Sequence, residues 1–266
     1  MRAAIVLLAA VQFGSAWAES AGNRLVPGYS PASIVNSASN LTGGFAPNTI
    51  VSLYGSGLAF TTKAISPDEI RSGMLPIVLI GTGVSVFINR LPAHILFVSP
   101  TQVNLIVPAT LSPGPAEFYL TLDGRAGPVI PFRLETASPA LYLQAAGMAV
   151  ATRADGSPIS REWPARGGEW VILYATGLGE TTPPIKYGAV AKEAARLALG
   201  DQFRVLVSGV AVPAASIGYA GIAPGFAGLY QVNLLLPETV GGDVEIRLQA
   251  GDWLSPAGVQ IPVQAP

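Results

Sequence analysis

"GLYQVNLLLP", residues 228–237, has a shorter echo in "TQVNLIVP", residues 101–108; each alternates an amide with an aliphatic residue and stops at proline. Alternation with period two marks a strand that turns one face to a core, and proline cannot continue a central ladder. Working outward, "VSLYGSGL" at 51–58 returns as "VILYATGL" at 171–178, a displacement of 120 positions, while Gln102 and Gln231 of the Gln-Val-Asn signatures lie 129 apart. Between them "VFINRLPA" (86–93) matches "VLVSGVAVPA" (205–214), with Pro92 and Pro213 displaced by 121. The order of signatures is the same in both halves. The chain therefore reads as one unit written twice, and most of the extra length of the second copy falls within "SIGYAGIAPGFAGLY" (216–230), a loop insertion.

Extending the pattern gives strands near 50–54, 83–88, 93–97, 102–107, 117–122 and 129–135 in the first copy. The second copy gives strands near 170–174, 203–208, 214–219, 231–236, 243–249 and 258–263. Short alternating strands at spacings of about 8 to 12 residues define a β-sandwich. Two stretches have helical composition: 66–73, where Ser66 can cap a single turn, and 191–199, which is expected to form an exposed loop or at most two turns before Gly200. The boundary between copies is placed at Ser138-Pro139, where strand character ends.

Of the 266 residues 50% are hydrophobic and only 12% charged, against about 25% charged in a typical soluble domain. With 30 glycines and 23 prolines and no collagen period, the composition fits many short strands joined by turns. The opening "MRAAIVLLAAVQFGSAWAES" has one basic residue, an apolar run and small residues ending at Ala18, the pattern of a secretory signal over 1–18. Its apolar run is shorter than the roughly 20 residues that span a bilayer. The domains expected are thus a signal over 1–18, a first sandwich over 19–138 and a second over 139–266, with export to the periplasm or beyond. Cysteine is absent, so an exported chain of this kind has no disulfides and no thiolate chemistry. A net charge of −1 leaves no basic footprint for nucleic acid.

The segments "SIVNSASN", "APNTIVSLYGSGLA", "FVSPTQVNLIVP", "ADGSP", "VILYATGLGETTPP" and "YAGIAPGFAGLYQVN" together resemble the Solibacter-type uncharacterised C-terminal domain of secreted Acidobacteria proteins, over about 33–263. The resemblance implies an all-β chain of two tandem immunoglobulin-like β-sandwich domains formed by internal duplication, usually attached behind larger extracellular modules, with no assigned activity. Three places depart from the family: Asn89-Arg90 stands where Asn-Gly is usual, which argues against a tight two-residue hairpin there, Asn48 stands where glycine is common, and "ISREWPA" replaces a more Asn-rich linker.

Along an extended strand Gln102 and Asn104 share one face and Val103, Leu105 and Val107 the other; Gln231 and Asn233 repeat this. Such amides either bind sugar hydroxyls or a partner's backbone, or satisfy backbone groups of a neighbouring loop. Their recurrence in both copies favours the internal role. Tyr54 and Tyr174 close the "LY" strands, either as sugar-stacking rings or, more commonly, packed with the hydroxyl bonded to a turn. Trp163 and Trp253 are the candidate ligand contacts, with packing between the two copies as the alternative for them and for Trp170.

No catalytic, cofactor or metal residues are expected. His94 is the only histidine, "DGS" at 155–157 lacks the further acids of a calcium loop and reads as a turn, and "YGSGL" lacks the spacing of a nucleophile elbow. An acid–base pair drawn from Glu162, Glu169 and Glu180 has no support in their spacing. The leading functional expectation is a non-catalytic secreted interaction or structural module whose partner is an extracellular protein, glycan or cell-surface material. A hydrolase of extracellular polymers using clustered carboxylates and a self-assembling extracellular protein are the alternatives.

Overall fold

The computed structural model describes residues 26–144 and 147–265; the secretory segment expected over 1–18 lies outside them. Among the described residues no helix is long and apolar enough to cross a membrane. The chain is all-β. In its first part the strands are β1 (Ile34–Asn36), β2 (Ile50–Tyr54), β3 (Lys63–Ala64), β4 (Val84–Ile88), β5 (Leu91–Pro92), β6 (His94–Val98), β7 (Gln102–Ile106), β8 (Gly114–Leu122), β9 (Arg125–Ala126) and β10 (Ile130–Leu134). One sheet runs β1-β2-β7-β6-β3 and the other β10-β8-β4-β5, with β9 on β8.

The second part contains β11 (Ala140–Leu141), β12 (Ala151–Thr152), β13 (Trp170–Thr176), β14 (Thr181–Thr182), β15 (Ala195–Leu197), β16 (Phe203–Val207), β17 (Val210–Ala211), β18 (Ile217–Ile222), β19 (Tyr230–Leu235), β20 (Gly242–Ala250), β21 (Trp253–Leu254) and β22 (Gln260–Val263). Its sheets run β11-β13-β19-β18-β15-β14, with β12 on β13, and β17-β16-β20-β21, with β22 on β20. The principal ladders in both parts are antiparallel.

Alternation decides which side chains leave water. Val51, Leu53, Val103 and Leu105 from one sheet meet Val86, Ile88, Phe118 and Leu120 from the other in a single core cluster that ends at Leu134. A second cluster begins at Ala137 and joins Val171, Leu173, Val232 and Leu234 to Val205, Val207, Ile246 and Leu248. Each such aliphatic side chain contributes about 1.5–3 kcal/mol on burial, so without a disulfide each pair of sheets is held by its own core.

The two parts correspond in register as well as in order. Ser52 faces Asn104 and Tyr54 faces Gln102, as Ile172 faces Asn233 and Tyr174 faces Gln231. Val84 opposite Leu122 corresponds to Phe203 opposite Ala250. The isolated parallel bridge between Phe45 and Leu134 recurs between Ala165 and Val263.

Three local expectations are corrected. Residues 191–199 are neither a loop nor helical throughout: β15 lies within them, paired to β14 and β18, with Ala195 and Leu197 buried. Residues 214–219 are not one strand, because Ala214–Ser216 is a 3-10 turn ahead of β18. Asn89-Arg90 does form a tight two-residue hairpin, with Ile88 opposite Leu91 and φ of 47° and 65° at the two turn residues. Asn tolerates that left-handed region, and the flanking ladders hold Arg90 there without glycine. At 66–73 the single turn is present as Pro67–Glu69 capped by Ser66, and Glu69 accepts from Ser66 N–H and pairs with Lys63 at 3.0 Å.

The parts are bonded across their junction. Ser138 accepts from Asn36 Nδ2 at 3.2 Å through its carbonyl and from Ala46 N–H at 2.9 Å through its hydroxyl. Thr176 accepts from Ile50 N–H and donates to Gly228 O, both at 2.9 Å. Ile50, Leu75 and Ile106 are buried there against Tyr187, Val190 and Ala227. Ala227 and Gly228 lie within 216–230, the stretch over which the second part is longer than the first, so that stretch forms part of the junction.

His94 lies at the same junction, 7% exposed, with Nδ1 2.7 Å from Leu75 O and its ring 4.5 Å from that of Tyr187. Burial pushes its pKa below the ordinary 6.5, against the opposing effect of the Leu75 and Pro76 backbone. Below pH 6.5 the unfolded chain takes up this proton more readily than the folded one, so stability is lost. Denaturation midpoints are therefore expected to be flat above about pH 7 and to fall between about pH 6.5 and 5. His94→Gln should remove that component of the slope, and an unchanged slope would show that His94 is not its source.

Candidate functional site: an open cleft beside Trp163

Leaving β12, the chain makes a turn at 155–157, where Ser157 N–H donates to Asp155 Oδ1 at 2.9 Å and Gly156 has φ 85°. Among the described residues no group of three or more potential ligands exists to hold a metal there or elsewhere. The segment then returns to β13 through Trp163, and Arg153 fastens it. Its Nε donates to Glu169 Oε1 at 2.8 Å, its Nη2 to Pro164 O at 2.8 Å and to Trp163 O at 3.4 Å, and its Nη1 to Pro158 O at 3.3 Å.

Glu169 Oε2 accepts from Arg166 N–H at 2.8 Å, and Arg161 pairs with Asp243 at 2.8 Å. Charge-assisted bonds are shorter and stronger than neutral ones, and the planar guanidinium of Arg153 spreads its donors over the Glu169 carboxylate and three backbone carbonyls. The Arg153–Glu169 pair is partly shielded, at 26% and 23% side-chain exposure. The result is a loop tied at both ends that displays the Trp163 indole, 67% exposed.

Trp163 borders an open cleft of about 630 Å³ lined also by Arg153, Glu162, Pro164, Arg166, Glu169 and Gln264. Gln264 is brought there by its backbone N–H, which donates to Ala165 O at 2.7 Å. An exposed indole face ringed by amide, guanidinium and carboxylate groups can stack on an apolar sugar face and bond its hydroxyls. Of the three candidate acids, Glu162 and Glu169 share the cleft and Glu180 does not. Both oxygens of Glu169 are already engaged by Arg153 and Arg166.

The recurring amides sit elsewhere, on the sheet faces opposite the cores. Gln102 Nε2 donates to Asn104 Oδ1 at 2.8 Å, and Gln231 Nε2 to Asn233 Oδ1 at 2.7 Å. Their recorded partners are side chains rather than loop backbone, with Ser52 Oγ a second donor to Asn104 at 3.0 Å. Tyr54 donates to Asn40 Oδ1 at 3.2 Å just after a turn, and Tyr174 lies 3.3 Å from the Thr152 hydroxyl on the adjacent strand. Trp253 packs partly buried against the second core, and Trp170 is 44% exposed, so neither of these indoles, nor Trp163, lies in the junction core.

Sequence reasoning named Trp163, Glu162 and Glu169 but missed Arg153, Arg166 and Gln264. One signal was available: 153–169 carries six charged residues in a chain that is only 12% charged.

No protein-family model and no curated protein matches the sequence. Among solved structures, the Bacteroides ovatus mixed-linkage glucan utilization locus protein SGBP-B, in complex with a mixed-linkage heptasaccharide, aligns with 84% of this chain at 11% identity and TM-score 0.34. This chain spans 44% of that protein's length. Domains 5-6 of the S-layer protein SbsC align over 90% of this chain and 99% of theirs at 9% identity and TM-score 0.29. The tandem Ig repeats of Dlar align over 84% and 94% at 12% identity and TM-score 0.22. Alignments at these scores transfer neither fold nor function.

Proposed function

We propose that this chain is an exported, non-catalytic module of two duplicated immunoglobulin-like sandwiches, divided at 138/139, that holds an extracellular glycan in the Trp163 cleft. Supporting the duplication is the shared strand order and register of the two parts, with displacements of 120 and 129 positions preserved in paired residues. The signal-like segment over 1–18 and the resemblance to the Solibacter-type domain of secreted Acidobacteria proteins support export. The glycan reading rests on one observation: a 67% exposed indole held at the lip of a polar cleft by four side-chain bonds from Arg153.

Glycan-array profiling of the chain lacking 1–18 tests this. The array should return a polysaccharide ligand, and Trp163→Ala should weaken its binding at least tenfold, the loss of about 1.4 kcal/mol or more typical of a central aromatic anchor, without changing the circular dichroism spectrum. Binding that survives Trp163→Ala, or steady turnover of the bound polymer, would contradict the reading.

A further inference from the structure

The two parts carry the same backbone frame at the pole where the cleft lies. In the first part Phe45 N–H donates to Arg133 O and Glu135 N–H to Phe45 O, both at 3.1 Å; in the second Ala165 N–H donates to Pro262 O at 2.9 Å and Gln264 N–H to Ala165 O at 2.7 Å. Likewise Asn48 N–H donates to Val107 O at 3.0 Å and Val107 N–H to Thr49 O at 2.9 Å, as Gly168 N–H donates to Leu236 O and Leu236 N–H to Glu169 O, both at 3.0 Å. These bonds equate Trp163, Pro164, Arg166 and Glu169 with Gly43, Gly44, Ala46 and Thr49, and Gln264 with Glu135.

In the first part this pole is closed. Ala46 and Thr49 are fully buried, Ala46 N–H donating to Ser138 Oγ at 2.9 Å and Thr49 Oγ1 lying 3.2 Å from the same hydroxyl. Its lip is Gly43-Gly44, and Glu135, paired with Arg133 at 2.8 Å, lies across Gly44 so closely that an added Cβ would collide with its Cγ. In the second part the lip is Trp163-Pro164, and an uncharged amide takes the place of the Glu135 carboxylate. The first part folds on this frame without an indole or its polar surround, so those features answer to something other than the frame.

The charges lining the cleft cancel: two guanidinium groups, Arg153 and Arg166, face two carboxylates, Glu162 and Glu169. Arg153 and Glu169 are spent on each other and on the backbone. Among the described residues no side-chain hydrogen bond engages Glu162, the Arg166 guanidinium or the Gln264 amide, and all three residues are exposed. Beside the ring they offer an acceptor, a donor and a group that is both. Neighbouring sugar hydroxyls present the complementary set, since each donates one proton and accepts others. An anionic sugar meets the Glu162 carboxylate and a cationic one the Arg166 guanidinium, with no net field of opposite sign to offset either.

We infer that the cleft selects an uncharged polysaccharide, whose ring stacks on Trp163 and whose neighbouring hydroxyls are read by Glu162, Arg166 and Gln264. This rests on the glycan reading of the cleft and extends it by a ligand class and by the residues that set it.

Titration calorimetry of the chain lacking 1–18 tests the selection. The neutral probes are cellohexaose, xylohexaose and mannohexaose, with a galacturonate hexamer as the anionic arm and a glucosamine hexamer as the cationic one. A neutral hexamer should bind at least about tenfold tighter than either charged one, and its affinity should change less than about twofold between about 0.05 and 0.5 M sodium chloride, there being no net charge to screen. Glu162→Gln and Arg166→Gln should each weaken it about tenfold, and Gln264→Ala about threefold, the ranges for a charge-assisted and a neutral hydrogen bond. Gln264→Glu, which imports the carboxylate of the first part, should raise affinity for the glucosamine hexamer and make it salt-dependent.

Tighter binding of either charged hexamer, abolished by Trp163→Ala, overturns the inference while the cleft reading stands. So does neutral binding that Trp163→Ala abolishes but Glu162→Gln, Arg166→Gln and Gln264→Ala all leave unchanged. Failure of the wild-type chain to bind any of the probes also overturns the inference, and the glycan array then decides the cleft separately.

Discussion

Gly188→Ala is expected to lower the unfolding free energy by about 3 kcal/mol or more, of which backbone strain supplies only about 1–2. Gly188 has φ +73°, and a Cβ added there would fall within the His94 imidazole. That ring has nowhere to move, since Nδ1 is bound to Leu75 O and the Tyr187 ring packs 4.5 Å away. Tyr187 is itself fixed, its hydroxyl accepting from His94 N–H at 3.1 Å and donating to Pro92 O at 3.0 Å. Gly209 supplies the control, with φ +81° and no atom within 4 Å of its added Cβ. Urea denaturation should show Gly188→Ala costing at least about 1–2 kcal/mol more than Gly209→Ala, the overpacking component. Equal costs would mean that the junction yields to the methyl group.

The second large effect belongs to Thr176, which is fully buried and acts on both parts at once. Thr176→Val keeps the shape but leaves Ile50 N–H without its acceptor and Gly228 O without its donor. An unsatisfied buried polar group costs about 1–3 kcal/mol, so a loss of about 2–5 kcal/mol is expected in the same assay. Thr176→Ser should restore most of it, because the hydroxyl rather than the methyl group carries the effect. Indistinguishable Val and Ser variants would show that packing, not hydrogen bonding, holds Thr176.

Both residues show where the sequence stops being informative. The strands around Gln102–Ile106 and Tyr230–Leu235 are legible because alternation is local, and their shared register with Tyr54 and Tyr174 follows the spacing of the repeats. Ala191–Leu199 misleads because good helix formers sit where long-range pairing with β18 buries Ala195 and Leu197; tertiary context overrides weak propensity. Asn89-Arg90 misleads for the same reason, since the ladders on either side impose a turn that the residues themselves only tolerate.

The candidate site was half legible. Exposure of Trp163 is a plausible reading of a Pro-rich connection, but its supports are scattered through the chain. Arg153, Glu169 and Gln264 meet only when β12, β13 and the segment after β22 are brought together. The bonds joining Thr176, Ile50 and Gly228 at the junction are likewise products of closure. No period or spacing encodes them.

The binding face itself is tested most directly by the indole N–H resonances of the nitrogen-15-labelled chain lacking 1–18, which retains Trp163, Trp170 and Trp253. On addition of a glycan returned by the array, the signal of Trp163, assigned by single substitution, should shift while that of Trp253, packed against the second core, stays in place. Movement of Trp253 alone, or three unmoved signals in the presence of a glycan that binds by calorimetry, would contradict the account.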